Sequence, residues 1–549
     1  MKQRSILIAF AFAALYSYPA VAQPAIAANG VRNSASYALP PLPNSGIAQG
    51  SIFVVFGSNL GPSKIVQVSS YPLPSSQGLS GTSIQVTING ASVYAIMLYT
   101  LATQLAAVLP SDTPVGTGTL TVTYNGQTSA PAPITVVGGS FGIFSVNQAG
   151  TGQGVFQNVN SATDRPFNSQ GKSAQPGQVI ILWGTGLGPV SGNEAAGPLP
   201  GDMPKLNVHV FVGGVEAAIQ YRGRSGCCTG DDQIVFTVPA GVTGCGVPVY
   251  VQIDNVISNF VTMAIGPSSG ACPDQYGLSG SLLQTVEKNG ALRNAVLAVE
   301  SIKNELPTRS YRNDNLSASF MSTPLASLGF YSPLLPGTCT VTQFPGGPYP
   351  PAATGLDAGT VSVATPVGSY PLPAVPGYTG TYGLTFEPSS PVSNPELINN
   401  GTVLTPGTVT FTFTGGAKVG PGSGSIDVPL TFVWTNDAAV TSINRSQALT
   451  LTWSGATSGG IVYVFIQSPV TSSIGAELSC AADATLGTLT IPADFLSALP
   501  PSGADANGNP LGSFNINETV MTGTFTASGI DLGQLQFSQS VNKGPMVIQ

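Results

Sequence analysis

The chain has 549 residues, of which only 7% are charged, while glycine (67) and proline (46) are abundant. This length exceeds what one hydrophobic core supports, so several domains are expected, and the composition favours short strands and turns, an all-β chain. A formal net charge of −7 excludes the basic surface that nucleic-acid binding requires.

Residues 1–22 have the three parts of a signal peptide. Lys2 and Arg4 precede an apolar run from Ile6 to Leu15, and Ala20-Val21-Ala22 supplies the small-x-small pattern of a cleavage site. No later segment has 18 uninterrupted apolar residues, so no membrane span is predicted. We expect an exported protein that resides in the periplasm, on the cell surface or in the medium.

The stretch SIFVVFGSNLGPS at residues 51–63 returns as QVIILWGTGLGPV at residues 178–190. Gly57 and Gly184 are 184 − 57 = 127 residues apart, and the same offset relates Leu60 to Leu187. The chain therefore contains an internal duplication. In each copy a short apolar run precedes the glycines, which is typical of a buried strand followed by a turn.

Two further matches follow each copy. Alternating strands are predicted at 84–88 and 208–212, and apolar strands at 104–110 and 233–239. Repeats of roughly a hundred residues with about seven short strands are typical of an immunoglobulin-like sandwich. We predict tandem immunoglobulin-like β-sandwiches, domain 1 at residues 23–138 and domain 2 at residues 139–268, followed by a further β domain.

These residues resemble the IPT/TIG class of immunoglobulin-like domains, and more closely a Solibacter-type family of uncharacterised secreted proteins. The resemblance rests on the sequence NSASY at 33–37, the two glycine-leucine-glycine-proline turns, and GRSGCCTGDDQIVFTVPAGVTGC at 223–245. It covers residues 29–266. The C-terminal part, with LDAG at 356–359 and INRSQALTLTWSG at 443–455, is similar to a segment that often follows such domains, and that similarity implies no activity.

Residues 269–340 are predicted to form a connecting segment that is partly helical. Charges cluster between Ser279 and Leu306, with apolar residues near helical spacing, whereas Gly290 interrupts the pattern and the family resemblance favours a strand from Leu292 to Val299. Residues 341–549 again alternate as strands do, and we predict one C-terminal β domain there.

Six cysteines in an exported chain predict disulfides. Cys227, Cys228, Cys245 and Cys272 lie in or beside the second repeat, and Cys339 and Cys480 lie in the C-terminal part. A bond between the adjacent Cys227 and Cys228 would strain the backbone, so each is expected to pair with Cys245 or Cys272, in an order that the sequence leaves open. Cys339 then pairs with Cys480. A zinc site is the weaker alternative, so no metal is predicted.

No catalytic constellation is predicted. His209, the single histidine, falls in a strand and is interpreted as a surface residue. Asp427, Asp437 and Glu387 are scattered, and nothing in the sequence brings two carboxylates together across a cleft. Asp231-Asp232 is interpreted as part of a turn beside the cysteines. The sequence also indicates no cofactor.

The candidate ligand-binding residues are Tyr349, Tyr370 and Tyr378, which stand among prolines and glycines in predicted loops where rings are hard to bury. The three tryptophans are interpreted as core. The leading hypothesis is a secreted or surface-exposed, non-catalytic protein that binds an extracellular glycan or protein, or acts in adhesion. The alternative makes the repeats accessory to a polysaccharide-active C-terminal enzyme.

Overall fold

The computed structural model describes residues 23–267, 270, 272, 279–307, 309–328, 334–345, 351–386 and 403–549. The predicted signal peptide at residues 1–22 lies outside these residues. The fold is all-β and built of sandwiches with immunoglobulin-like repeats, as predicted. We call the three successive units module 1, module 2 and module 3.

Module 1 is a sandwich of two sheets, with strand orders β1-β3-β8-β7-β4 and β2-β11-β9-β5-β6 and with β10 paired to β9. Alternation along β5 buries Ile84, Val86 and Ile88 against the other sheet. The strands are β1 (Ala25–Asn33), β2 (Ile47–Ala48), β3 (Ile52–Ser58), β4 (Val66–Gln67), β5 (Thr82–Ile88), β6 (Ala91–Tyr94), β7 (Ile96–Thr100), β8 (Gln104–Val108), β9 (Gly116–Tyr124), β10 (Gln127–Thr128) and β11 (Ala132–Val137).

Module 2 repeats this arrangement. Its β14 pairs with β18 as β3 pairs with β8, and its β16 pairs with β19 as β5 pairs with β9, which is the structural counterpart of the sequence duplication. One long strand, β17, pairs with β16 at its start and with β18 at its end, and so joins the two sheets. The strands are β12 (Gly142–Ile143), β13 (Phe156–Asn158), β14 (Val179–Thr185), β15 (Gly201–Asp202), β16 (Val208–Val212), β17 (Val215–Arg224), β18 (Asp232–Thr237), β19 (Gly244–Ile253), β20 (Val256–Ile257) and β21 (Val261–Ile265).

Module 3 contains one large sheet of order β24-β35-β34-β37-β38-β22-β23-β25, to which β28 and β32 also pair. Two smaller sheets, β27-β26-β29-β30 and β31-β33-β36, accompany it. Its strands are β22 (Ala291–Leu306), β23 (Arg309–Pro324), β24 (Thr338–Phe344), β25 (Thr354–Gly355), β26 (Val361–Thr365), β27 (Gly368–Leu372), β28 (Thr381–Phe386), β29 (Gly407–Phe413), β30 (Gly422–Val428), β31 (Val433–Trp434), β32 (Ser442–Ile443), β33 (Leu449–Ser454), β34 (Ile461–Thr471), β35 (Ile474–Asp483), β36 (Thr488–Ile491), β37 (Gly512–Phe525) and β38 (Leu532–Ile548).

The predicted connecting segment at 269–340 is in large part the beginning of module 3. Its residues form β22 and β23, and β22 lies in the middle of the large sheet, parallel to β38 and antiparallel to β23. The predicted domain boundary at residue 341 stays a prediction, and the large sheet of module 3 includes β22 and β23 before it. β22 pairs with a strand more than 200 residues later in the chain, a partner that local sequence patterns do not identify.

The segment Ser279–Leu306, for which the sequence indicates both a helix and a strand, is helical in its first part and a strand in its second. A helix, α1 (Gly280–Asn289), begins where the Ser279 hydroxyl accepts a hydrogen bond from the backbone N–H of Leu282, and it ends at Gly290, whose φ is +78°. β22 follows at once. The other α-helices in the described residues are the short α2 (Leu325–Leu328) and α3 (Ala493–Ser497). No helix among the described residues has the length and apolarity needed to cross a membrane.

The large sheet of module 3 has one apolar face and one polar face. Alternate residues, such as Val462, Val464 and Ile466 on β34, are buried in a core shared with the β31-β33-β36 sheet. Leu297, Val299 and other apolar residues of β22, β23, β37 and β38 are buried in a second core shared with the β27-β26-β29-β30 sheet. The residues between them therefore project from the opposite face.

The motif at residues 33–37 joins module 1 to module 2. The Nδ2 atom of Asn33 donates to the carbonyl oxygens of Ser140 at 3.4 Å and Thr185 at 3.3 Å, and its Oδ1 accepts from the backbone N–H groups of Ala35 and Ser36. Asn33 is buried, so its hydrogen bonds satisfy backbone groups that water does not reach.

A buried group of charges lies at the same junction, and we call Glu194, Arg224, Asp231 and Asp232 the junction cluster. Arg224 and Asp232 form an ion pair whose side chains are 2% and 0% exposed. Asp232 also accepts from the backbone N–H groups of Gly186 and Leu187 at 2.7 and 2.8 Å, in the duplicated turn. Glu194 accepts from the backbone N–H of Ser111 in module 1 at 2.8 Å.

The interpretation of Asp231-Asp232 as part of a turn is wrong for Asp232, which is the first residue of β18 and is fully buried. Asp231 lies in the loop before β18, and its Oδ2 atom accepts a hydrogen bond of 3.1 Å from the hydroxyl of Ser225. Burial raises the pKa of Asp231 to about 7, and it also raises the pKa values of Asp232 and Glu194.

The six cysteines form three disulfides, Cys227–Cys228, Cys245–Cys272 and Cys339–Cys480. The prediction that Cys227 and Cys228 avoid each other is wrong. Cys227 and Cys228 lie in the loop before β18, whereas Cys245 lies after the end of β18. The six residues of β18, at about 3.3 Å each, separate the two ends of the strand by roughly 17–20 Å. A disulfide needs Cα atoms within about 7 Å of each other.

Candidate ligand-binding groove

The polar face of the large sheet in module 3 carries a groove that crosses the strands from β24 to β22. Two cavities form it, one of about 620 Å³ between module 2 and strands β24, β35 and β34, and one of about 360 Å³ over β34, β37, β38 and β22. Phe465 and Gln467 line both cavities, so the two are continuous. We call this surface the groove.

The first half of the groove is aromatic. Tyr463 and Phe465 alternate with the buried residues of β34, and their rings lie 6.2 Å apart with planes only 21° from parallel. Phe344 on β24 lines the same cavity. All three rings are partly exposed. They present an aromatic strip beside polar side chains of β24 and β35.

Polar groups stand beside this strip at the next position along the strands. The Nε2 atom of Gln467 donates to Glu477 Oε2 at 2.8 Å, and the hydroxyl of Ser479 donates to Glu477 Oε1 at 3.1 Å. The strand register places Gln467 opposite Glu477, and Phe465 opposite Ser479. A carboxylate has about four acceptor positions, so Glu477 keeps acceptor capacity towards the groove.

The second half of the groove is a chain of side-chain amides. Phe465 is opposite Asn515, Asn515 is opposite Asn542, and Asn542 is opposite Asn304 on β22. Asn515 Nδ2 donates to Asn542 Oδ1 at 2.6 Å, and Asn542 Nδ2 donates to Asn304 Oδ1 at 3.0 Å. The Nδ2 atom of Asn304 has no hydrogen-bond partner among the described residues.

The charges next to the end of the groove project from the other face of the sheet and pair there, because Lys543 and Glu305 alternate with Asn542 and Asn304. Lys543 Nζ lies 3.8 Å from Glu305 Oε2, 5.3 Å from the centre of the Trp434 ring, and donates to the carbonyl oxygen of Asp437. Of the described residues that line the two cavities, Lys543 alone is positively charged. The groove therefore lacks a cation that is free to bind an anion.

The predicted candidates Tyr349, Tyr370 and Tyr378 do not line the groove. Tyr349 lies outside the described residues. Tyr370 was expected in a loop, but it lies on β27, half-buried, with its ring 5.1 Å from that of Phe386 in the core. Tyr378 lies in a turn between β27 and β28 and is 68% exposed. Its role as a ligand-binding residue stays a prediction.

The carboxylates that would make module 3 an enzyme are not assembled by the described residues. Asp427 lies on β30, where it accepts from the hydroxyl of Thr408 at 2.8 Å. Asp437 lies in a 3-10 turn near Lys303, at 3.9 Å. Glu387 lies outside the described residues. His209 lies on β16 at the surface, with Nδ1 2.6 Å from Glu216 and Nε2 3.0 Å from Asn207.

Among the described residues, one group of potential metal ligands is compact, namely Cys227, Cys228 and Asp231. Both sulfur atoms belong to a disulfide, and a disulfide sulfur offers no thiolate to a metal. The group therefore does not form a metal site in this state. Trp183, interpreted as core, is in fact partly exposed on β14 and donates from Nε1 to Gln157 at 3.1 Å, whereas Trp434 and Trp453 are buried.

Sequence reasoning missed Tyr463 and Phe465, although the alternation of apolar residues along this strand indicates their position. Val462, Val464 and Ile466 form the apolar side of the strand. Strict alternation then places Tyr463, Phe465 and Gln467 on the other side. The aromatic strip follows from this pattern. Its partners on β35 and β37 do not, because they depend on which strands pair.

A scan against protein-family models finds no match, and no curated protein matches the chain. Similar solved structures include SGBP-B of the Bacteroides ovatus mixed-linkage glucan utilization locus in complex with a mixed-linkage heptasaccharide (9% identity, 81% of this chain and 92% of that chain, TM-score 0.14). Others are SGBP-B from a complex xyloglucan utilization locus in Bacteroides uniformis (10% identity, 96% of both chains, TM-score 0.15) and surface layer protein SbsC, domains 4–9 (12% identity, 93% of this chain and 83% of that chain, TM-score 0.18). TM-scores this low transfer no property to this chain, and the Solibacter-type or IPT/TIG assignment stays a prediction.

Proposed function

We propose that this chain is an exported, non-catalytic binding protein that holds an extended extracellular ligand in the groove of module 3. One observation carries the proposal, namely that the two adjoining cavities, from β24 to Asn304 on β22, are lined by partly exposed aromatic and amide side chains. It crosses six strands, which at about 4.8 Å per strand spacing makes roughly 24 Å. A surface of this length fits a chain-like ligand better than a small molecule.

Modules 1 and 2 support the groove. Thr151, Phe260 and Thr262 of module 2 line its first cavity, so the site is complete only when module 2 is packed on module 3. The buried contacts of Asn33 and of the junction cluster fix module 1 on module 2. The two immunoglobulin-like modules thus hold one wall of the groove in place.

The carboxylates near the groove are arranged for binding rather than for glycoside hydrolysis. Glu477 lies on β35, and Glu300 and Glu305 lie on β22, four strand spacings or about 19 Å away. The two carboxylates of a glycosidase stand about 5 to 10 Å apart. Glu305 and Asp437 lie nearer each other, at 2.5 and 3.9 Å from Lys303 Nζ, and this ammonium pairs with both carboxylates. The separation of Glu477 from Glu300 and Glu305 supports the non-catalytic proposal over an accessory role to a hydrolase in the same groove.

The test is a screen of the mature chain, residues 23–549, against extracellular polymers, repeated with Phe465→Ala and with Tyr94→Ala as a control at an exposed aromatic residue of module 1. We expect a ligand whose binding is weakened by Phe465→Ala and unchanged by Tyr94→Ala. A ligand bound equally well by the Phe465→Ala protein would refute the groove as the site. Release of new reducing ends from a bound polysaccharide would refute the non-catalytic assignment.

A further inference from the structure

We infer that the ligand of the groove is an uncharged polysaccharide chain that lies across the strands, with one of its sugar rings packed on the aromatic pair Tyr463 and Phe465. This inference rests on the proposed function and names the ligand class of that same site. It depends on three features of the groove, which are its aromatic strip, its neutral hydrogen-bonding groups and its paired charges.

The aromatic strip fits the C–H face of a pyranose ring. Tyr463 and Phe465 project from the same side of β34, at positions i and i+2, so they follow each other along the strand and a chain that crosses the strands meets them as one aromatic contact. Contacts with aromatic rings favour a ligand that is itself apolar on one face. A sugar ring has such a face and carries its hydroxyls around the edge.

The groups beside the strip match hydroxyls, which both donate and accept. Glu477 accepts, and the amide of Gln467, which donates to Glu477 and accepts from Ser513 at 3.3 Å, retains one N–H. A mixed array of donors and acceptors serves hydroxyls well. It serves a purely anionic group poorly, because Glu477 would repel it.

The amide chain adds one directed donor. Thr519 donates to Asn517, Asn517 to Asn515, and the chain continues through Asn542 to Asn304. Each donor polarises the next, so the N–H at the end of the chain becomes a stronger donor. The Nδ2 atom of Asn304 is this end and is unpaired, which costs about 1–3 kcal/mol until an acceptor reaches it after a small shift of the side chain. A sugar hydroxyl or ring oxygen supplies such an acceptor.

The charges favour an uncharged chain over an acidic one. Lys543 is already engaged by Glu305, the Trp434 ring and the carbonyl oxygen of Asp437. An acidic polysaccharide would meet Glu477 without a compensating cation, on a chain whose formal net charge is −7.

An extended peptide fits the groove less well. Peptides that bind β-sheets usually add a strand to an open sheet edge through main-chain hydrogen bonds. The groove begins at the edge strand β24 but then crosses β35, β34, β37 and β38, each of which is paired with a strand on both sides. Over these four strands its ligand is bound by side chains.

Affinity electrophoresis followed by calorimetry of the mature chain tests this inference. The neutral probes are mixed-linkage β-glucan, galactomannan and dextran, and the acidic probes are polygalacturonate and alginate. We expect a neutral probe to bind and the acidic probes to fail. The double variant Tyr463→Ala/Phe465→Ala should weaken binding about tenfold or more, Phe465→Tyr should keep it within about threefold, and Tyr94→Ala should leave it unchanged.

The possible outcomes separate this inference from the proposed function. Groove-dependent binding of an acidic polysaccharide or of a protein would overturn the inference and leave the proposed function standing, and so would failure of all neutral probes while another polymer binds in the groove. Neutral binding that survives the double variant, in a protein shown by its melting curve to be folded, would overturn both. Gln467→Ala, which leaves the aromatic strip intact, should weaken neutral binding by a smaller factor, and an unchanged affinity would contradict the role given to that amide.

Discussion

Gln343 in module 3 and Ser36 in module 1 are 307 residues apart in sequence, and Gln343 Nε2 donates a hydrogen bond of 2.9 Å to the carbonyl oxygen of Ser36. Its Oε1 atom accepts from the backbone N–H of Leu39 at 3.1 Å. Gln343 also lines the first cavity of the groove. One side chain therefore ties a wall of the groove to the segment before β2.

We predict that Gln343→Ala lowers the free energy of unfolding by about 1–3 kcal/mol, because it leaves the Ser36 carbonyl and the Leu39 N–H without their partner. Guanidinium unfolding followed by tryptophan fluorescence measures the change. Gln127→Ala, at an exposed position on β10, is the matched control and should have little effect. Equal midpoints for the two variants would contradict the tie between modules 1 and 3.

The junction cluster predicts a pH dependence of stability. The pKa of Asp231 is raised to about 7, mainly by burial, so the folded protein binds this proton more tightly than the unfolded chain does. The resulting stabilisation is complete below pH about 4, the pKa of an ordinary aspartate, and is lost as the pH rises through about 7. We expect the melting temperature to fall between pH 5 and pH 8, and Asp231→Asn to reduce that slope.

Asp505→Asn is the control for this prediction. Side-chain and backbone hydrogen bonds from Asn509, followed by those from Asn507, lower the pKa of Asp505, so Asp505→Asn should leave the slope between pH 5 and pH 8 unchanged. A wild-type slope in the Asp231→Asn protein would show that Asp231 is not the titrating group.

Gly230 of module 2 lies where the backbone comes very close to module 1, so a larger residue there should destabilise the protein. Its φ is +79°, and a Cβ atom there would lie 2.8 Å from Ile52 Cγ1 and from Val108 Cγ2 of module 1. Gly230→Ala should therefore destabilise the protein by about 1–3 kcal/mol beyond the backbone effect. Gly241→Ala isolates that backbone effect, because Gly241 also has φ +79° and has no atom within 4 Å of its Cβ position. Similar losses for both variants would rule out the packing contact.

The disulfides of the described residues should contribute unequally. Cys339–Cys480 spans 141 residues, and the chain-entropy model assigns such a loop about 5 kcal/mol of stabilisation. Cys227–Cys228 closes no such loop. Replacing Cys339 and Cys480 by alanine should therefore lower the melting temperature far more than replacing Cys227 and Cys228. Melting curves under non-oxidising, non-reducing conditions measure both, and equal shifts would contradict the loop argument.

The positions of many strands can be predicted from local patterns in the sequence. The duplicated apolar runs predict β3 and β14, and alternation predicts β5, β16 and β34, because burial on one face of a sheet selects every second residue. The same alternation, read on its other face, places Tyr463 and Phe465 outside. The sequence nevertheless indicates Tyr349, Tyr370 and Tyr378 as ligand-binding candidates instead of Tyr463 and Phe465. The reason is that the groove forms only when several strands lie side by side.

The residues that complete the groove could not be assigned in this way. Asn304 and Asn542 are 238 residues apart in sequence, and they meet because β22 lies parallel to β38. The pairing of the neighbouring cysteines also depends on the folded chain. The length of β18 separates Cys228 from Cys245, and Cys228 is bonded to Cys227.

The sequence by itself determined that this protein is all-β, that its first half is duplicated and which side of each strand is buried, since these properties depend on neighbours a few residues apart. The tertiary structure decided which strands pair, which cysteines bond, and that the polar sides of β35, β34, β37, β38 and β22 form one surface. The physical reason is that strand pairing is a contact between distant segments, and its energy depends on the packing of the whole module rather than on any local pattern.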